Sequence, residues 1–374
     1  MAQMNYLTQC TFDFGAVAQL PKVLKGLGVA RPFVVTDPGL KANGLLERLL
    51  AALGQAPAGV FAETPANPTE TATRKAAEAY RAAGADGIVA FGGGSSMDLA
   101  KGVGLMVTHE GGIERLGASQ RGSKFISKLP PLVAVPTTAG TGSEVSVGAV
   151  IILDNGRKET FASPFLIPAA AVCDPELTLG LPPQLTAATG MDAMTHCIEA
   201  VLSSLVHPPA EAIGVDGAER IGKWLERAVK DGSDRDARWH MMMGSFEGAL
   251  AFVKGLGAVH GLSHALGRVQ ELKLHHGTLN AVILPHALAM IGGAAAEKFA
   301  RLRRALGLAA NADLPQYIAD LNARIGLPGS LSAMGVTEAH WPAARDYAVS
   351  DVATLTNAVP FDGEKYDELF RRAF

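Results

Sequence analysis

Asp192 and His196 stand four residues apart in GMDAMTHCIEA (190–200), and His260 and His264 stand four apart in VHGLSHALG (259–267). In a helix such pairs share one face, about 40° apart and one turn along. A carboxylate and an imidazole placed in this way can close on one cation. His276 follows in LHHGT, beside His275 and just before Gly277. One carboxylate with several imidazoles suits a borderline divalent ion such as Fe²⁺ or Zn²⁺ better than Mg²⁺ or Ca²⁺. Either pair alone is more often a hydrogen bond on a helix surface or a bonded core histidine, and the combination is what points to a metal. Cys197 lies about 100° around the helix from His196 and reads as packing.

Two further stretches could hold a nucleotide. FGGGSSMDLAKG (91–102) puts three glycines after a β-like run, with Ser95 opening a helix. Glycine lets the backbone approach a phosphate, and free N–H groups at a helix start can bind it. The stretch is neither GxGxxG nor a Walker loop, so alone it is equally a structural turn. VPTTAGTGSEVS (135–146) offers Thr137, Thr138, Thr141, Ser143 and Ser146. These hydroxyls could line a nucleotide or simply cap a turn. Asp37, after VVT, could accept a ribose hydroxyl bond and repel a 2′-phosphate, or cap the next helix.

Something must position these groups. RPFVVTD (31–37), AGVFAET (58–64), DGIVAFGGG (86–94) and PLVAVPTT (131–138) read as strands. Helical spacing falls between them at 44–53, 70–84 and 95–107. Alternation of apolar strands and helices predicts a parallel sheet covered on both faces. After about residue 180 the chain is rich in Ala, Leu and Met with almost no strand signal, as in 185–205, 239–252 and 294–308. The expected organisation is therefore an α/β domain over 1–180 and an all-α domain over 181–374, with a site in the cleft between them.

The bulk composition narrows the function classes. Net charge is −3 with no long basic run, so nucleic acid is not an expected partner. Cys10, Cys173 and Cys197 are too few and scattered for a disulfide framework, which fits a reducing cytoplasm. The start, MAQMNYLTQCTFDFG, lacks a signal-peptide pattern. The most apolar run, ALAMIGGAAA, fits a buried helix rather than a membrane span.

Taken together, GGGSSMDLAK, PTTAGTGSE, GMDAMTHCIEA and HGLSHALG…HHG resemble, in this order, the iron-containing (group III) alcohol dehydrogenases. The resemblance runs over nearly the whole chain. It implies an N-terminal dinucleotide-binding domain and a helical metal domain, an architecture shared with dehydroquinate synthases. It implies Asp192, His196, His260 and His276 as metal ligands, Fe²⁺ favoured and Zn²⁺ possible, and His264 as a non-ligand histidine that relays the substrate proton. For NAD it implies Gly93, Gly94 and Ser95 at the pyrophosphate, with Asp98 close by. Thr137, Thr138, Thr141 and Ser146 would line the cofactor, Asn67 and Lys158 match cofactor positions, and Asp37 would favour NAD over NADP.

Three features depart from the family pattern. The interval from His260 to His276 is about two residues longer, and His275–His276 replaces Pro-His, so His275 stays open as the fourth ligand. The segment SDVATLTNAVPFDG (350–363) matches only loosely. Within the family, AFVKGLGAVHGLSHALG and LHHGTLNAVILPH resemble the 4-hydroxybutyrate dehydrogenase branch most. Lys254 would there be a cation for a substrate carboxylate, against the plainer reading of a solvent-facing lysine. The activity implied is NAD(H)-linked interconversion of a small alcohol or ω-hydroxy acid and its aldehyde, in a cytoplasmic homodimer or larger homo-oligomer, without membrane partners. A maleylacetate-type reductase and a non-catalytic metal or nucleotide sensor are the alternatives.

Overall fold

The computed structural model describes residues 8–374. Among these, residues 8–138 and 143–178 form one compact unit, and 139–142 with 179–374 form a second. The first unit carries the strands β1 (Gln9–Phe12), β2 (Pro32–Val35), β3 (Gly59–Phe61), β4 (Gly87–Gly92), β5 (Leu132–Pro136), β6 (Gly148–Ile152), β7 (Lys158–Ala162) and β8 (Ala170–Cys173). Its helices are α1 (Leu20–Gly26), α2 (Pro38–Ala42), α3 (Leu45–Ala52), α4 (Glu70–Ala82) and α5 (Gly94–Thr108).

Six strands form one sheet in the order β1-β8-β5-β4-β2-β3, and every pairing in it is parallel. Side chains alternate across a strand, so each strand feeds two cores. Val34, Val89, Phe91, Val133 and Val135 pack on one face against Leu20, Leu24, Leu46 and Leu49 of α1 and α3. Phe33, Val35, Ile88, Ala90 and Leu132 pack on the other against Ala76, Tyr80, Met97 and Val103 of α4 and α5. Burial on both faces is why these strands read as continuous apolar runs. β6 and β7 form a separate antiparallel hairpin that was not among the expected elements. Its signal is Asn155–Gly156 between the strands, with Gly156 at φ 79°.

The second unit is helical among its described residues: α6 (Pro183–Leu202), α7 (Pro208–Lys230), α8 (Arg235–Ala251), α9 (Ala258–Leu266), α10 (His276–Ile291), α11 (Ala296–Ala305), α12 (Leu314–Arg324), α13 (Trp341–Ser350) and α14 (Gly363–Ala373). Every residue of α6 from Thr186 to Leu202 is buried. A helix surrounded by protein shows no apolar stripe, so its ligands stand out by type alone. α10 contains Pro285, which cannot donate to the Ala281 carbonyl one turn back. Asn322 of α12 supplies the missing donor, with Nδ2 at 2.6 Å from that oxygen.

The run from His276 to Ala305 is long and apolar enough to cross a membrane by length and composition, yet 61% of its apolar window is buried inside the protein. Core packing accounts for that apolarity, as expected for ALAMIGGAAA.

Candidate active site

Four donor groups converge in the helical unit. Asp192 Oδ1 lies 3.8 Å from His196 Nε2, 3.9 Å from His260 Nε2 and 3.5 Å from His276 Nε2. Metal bonds of roughly 2.0–2.2 Å place tetrahedral ligands about 3.4 Å apart, so these spacings fit one shared ion. Asp192, His196 and His260 are all buried, and their donor atoms lie within 4.8 Å of one another. Burial drops the pKa of His196 to about 4, so its imidazole is neutral and carries a lone pair at neutral pH. A buried carboxylate facing imidazole nitrogens is a donor set that suits a cation.

Three helices deliver these groups. α6 carries Asp192 and His196, α9 carries His260, and α10 begins at His276. α10 meets α6 so closely that a Cβ on Gly277 would stand 2.1 Å from the Ala188 carbonyl oxygen. Only glycine permits the approach that brings His276 to Asp192. Of the histidine pair, His276 faces Asp192, whereas His275 precedes the helix and is exposed.

Asp37, Gly93, Gly94, Ser95, Thr137 and Thr138 lie in the α/β unit, just past the carboxyl ends of the neighbouring parallel strands β2, β4 and β5, and Lys158 opens β7. Open α/β sheets bind ligands at that edge. β4 ends in Gly92 at φ 146°, and α5 starts at Gly94, with Gly93 capping it in extended conformation. Thr137 N–H donates to the Gly92 carbonyl at 3.0 Å, which sets the threonine loop beside the glycine turn. Asp37 Oδ1 caps α2 by accepting from Gly39 and Leu40 N–H, and Ser96 Oγ donates to its Oδ2 at 3.3 Å. Ser95 Oγ donates to the Ala66 carbonyl, next to half-buried Asn67. Ser146 Oγ accepts from Gly148 N–H. Thr141 lies in the short segment that groups with the helical unit.

The pattern of the iron-containing alcohol dehydrogenases matches residues 8–175, and that of the Fe-containing alcohol dehydrogenase family, C-terminal, matches 186–374. The chain belongs to the iron-containing alcohol dehydrogenase family. It is 53% identical to the 4-hydroxybutyrate dehydrogenase of Cupriavidus necator, over 90% of this chain and 91% of that protein. A solved 1,3-propanediol oxidoreductase superposes with TM-score 0.92 at 33% identity, covering 100% of both chains. The sulfoacetaldehyde reductase of Bifidobacterium kashiwanohense, solved in complex with NAD⁺, superposes with TM-score 0.89 at 26% identity, covering 100% of this chain and 98% of that one. The protein is thus an oxidoreductase that uses NAD and a divalent metal.

The Asp192 cluster is held by further side chains that spacing did not single out. Glu199 Oε2 bonds His260 Nδ1 at 2.5 Å, and Oε1 accepts from Val259 N–H at 2.9 Å. Burial lowers the His260 pKa, but the Glu199 bond and charge outweigh it and raise it overall. Ser263 Oγ bonds His276 Nδ1 at 2.7 Å. Both contacts occupy the ring nitrogen turned away from Asp192 and fix the rings with Nε2 toward it, where Asn280 Nδ2 lies 3.3 Å from Nε2 of His260 and 3.2 Å from that of His276. Asn280, one turn after His276, donates Nδ2 to Asp192 Oδ1 at 2.8 Å. His196 Nδ1 makes no hydrogen bond of normal geometry, and the Gly140 backbone exerts only a minor raising influence on that ring. His264 stacks on His276, with ring centroids 5.3 Å apart, and its Nδ1 bonds Asp351 Oδ2 at 3.1 Å. Glu199 sits in GMDAMTHCIEA seven residues after Asp192, so helical spacing alone could have found it. Asp351 comes from the loosely matching 350–363 segment and had no such signal.

One expectation needs correction. Lys254 is only 1% exposed, so it is not solvent-facing. Its Nζ donates to the carbonyls of Val201 and Ser203 at the end of α6 and pairs with Glu211 at 3.0 Å. With its donors engaged there, it is not the cation for a substrate carboxylate. Asp98 is buried, accepting from Ser143 Oγ at 2.8 Å and Val150 N–H at 2.9 Å. Burial raises its pKa, while Lys101, Val150, Ser143 and Lys158 oppose that effect. Asp98 therefore braces the 143–150 segment. Lys101, quoted in GGGSSMDLAK but given no role, donates to the carbonyls of Ser146 and Gly148 and braces the same segment.

Proposed function

We propose that the chain interconverts a small ω-hydroxy acid and its aldehyde with NAD(H), 4-hydroxybutyrate and succinic semialdehyde being the favoured pair. The observation that carries this reading is the convergence of Asp192, His196, His260 and His276 in a chain 53% identical to a 4-hydroxybutyrate dehydrogenase. Asp192, His196, His260 and His276 would hold the ion, Fe²⁺ favoured and Zn²⁺ possible. When bound, the metal supplies Lewis acidity at the substrate oxygen, and the nicotinamide exchanges a hydride with the adjacent carbon.

The chain's own residues do the rest. Glu199 and Ser263 orient the His260 and His276 rings. With Nδ1 of His264 donated to Asp351, Nε2 is free to take the hydroxyl proton and pass it outward. The His264 side chain is 18% exposed, which gives the proton a route to water. Gly93, Gly94 and Ser95 offer the start of α5 to the pyrophosphate, and Thr137, Thr138, Thr141 and Ser146 offer hydroxyls. Asn67 and Lys158 are assigned to the cofactor on family resemblance. Asp37 keeps a carboxylate where a 2′-phosphate would be repelled, which favours NAD. We further assign the protein to the cytoplasm, as a homodimer or larger homo-oligomer.

The test is NADH oxidation by succinic semialdehyde and by butanal, with metal-loaded and chelated protein and metal analysis of the same sample. Activity lost on chelation and restored by Fe²⁺ or Zn²⁺ is expected. Metal-independent reduction would favour a maleylacetate-type reductase, and no turnover of any aldehyde would favour a sensor.

A further inference from the structure

An ω-hydroxy acid needs a cation for its far end, and Lys254 does not supply it. We propose that Arg268 binds the substrate carboxylate and thereby sets the preference for ω-hydroxy acids; this rests on the functional reading above. His260, His264 and Arg268 follow one another at intervals of four along α9 and the turn that continues it. They lie on adjoining faces, one turn apart each. The His260 side chain is 1% exposed and that of His264 18%, and Arg268 is half-buried. The row thus leads outward from the metal ligands.

α13 packs against α9 and locks both outer members. Asp351, just after α13, holds His264, and Tyr347, one turn earlier, lies under the Arg268 guanidinium, 4.3 Å from Cζ to the ring centroid. Stacking orients the guanidinium without using its N–H donors. Among the described residues no carboxylate lies within 4.0 Å of Arg268, and Asp351 is committed to His264. A half-buried guanidinium without a counter-ion, held one turn beyond the proton-relay histidine, is an anion site in waiting. The distance from the hydroxyl oxygen to the carboxylate of a four-carbon hydroxy acid is about the rise of one helical turn, ~5–6 Å.

The experiment measures kcat/KM for 4-hydroxybutyrate and for n-butanol with the metal-loaded wild-type enzyme, Arg268→Gln and Arg268→Lys. It also measures competitive inhibition by butyrate, which reads binding without turnover. Loss of a charge-assisted bond should cut the preference for 4-hydroxybutyrate over n-butanol about 10- to 100-fold in Arg268→Gln, mainly through KM. Butyrate inhibition should weaken in parallel, and Arg268→Lys should recover part of both. An unchanged preference, or equal loss on both alcohols with unchanged butyrate inhibition, overturns the assignment of Arg268. Wild-type enzyme that oxidises n-butanol but not 4-hydroxybutyrate would overturn the ω-hydroxy acid reading itself.

Discussion

Single residues handle protons at His264 and at Glu144. His264 lies beside His276 but is bonded to Asp351. His264→Ala should lower turnover by roughly 10²–10⁴-fold, the range for a proton-transfer group. Metal content should stay near one equivalent, because Asp192, His196, His260 and His276 remain. Metal analysis decides this, and loss of the ion would make His264 a ligand. Glu144 sits in the threonine loop, and burial pushes its pKa up from 4.5 to about 7, against smaller lowering from its backbone and Lys101. Between pH 4.5 and 7 the folded protein therefore keeps a proton that the unfolded chain has lost. The contribution of Glu144 to stability falls as pH rises through that window. Glu144→Gln should remove this contribution, so its melting temperature relative to wild type should climb from pH 4.5 to 7. A flat difference across that range would contradict the raised pKa.

At the scale of elements, helix α10 presents His276 and Asn280 despite the proline in its middle. Asn322→Ala should leave the Ala281 carbonyl unpaired and buried, a loss of about 1–3 kcal/mol readable by urea unfolding. An effect below ~0.5 kcal/mol would mean that water or a helix adjustment takes the donor's place. Elements were legible where local pattern and tertiary environment agree. β2, β4 and β5 are buried on both faces, so their sequences are unbroken apolar runs. β1 and β8, QCTF and AAVC, lack the run of large apolar side chains that marks β2 at the same length. The i, i+4 pairs on α6 and α9 were legible because helix geometry alone sets their faces. Ser263, Asn280 and Asp351 reach their partners through packing between helices, which spacing does not encode. Lys254 was misread for the same reason, because its ammonium ends among the carbonyls closing α6.

At the scale of the whole molecule, the ligands join segments far apart in the chain: α6, α9 and α10. A metal bound by all three stabilises the folded state by RT ln(1 + [L]/Kd), about 4 kcal/mol at a thousandfold excess over Kd. That gain belongs to the unit that owns the ligands, 139–142 and 179–374. Chelation should therefore speed amide exchange in α6, α9, α10 and the Asp351 end of α13 more than in β4 and α5. Mass spectrometry of exchanged peptides resolves these segments. Asp192→Asn should reproduce the chelated pattern with metal present, because an amide is a poor substitute for the one carboxylate among the ligands. NAD⁺ should show the complementary pattern, protecting the end of β4 and the start of α5, where Gly93, Gly94 and Ser95 lie. Equal protection of both units by metal alone would mean that the two fold as one cooperative block.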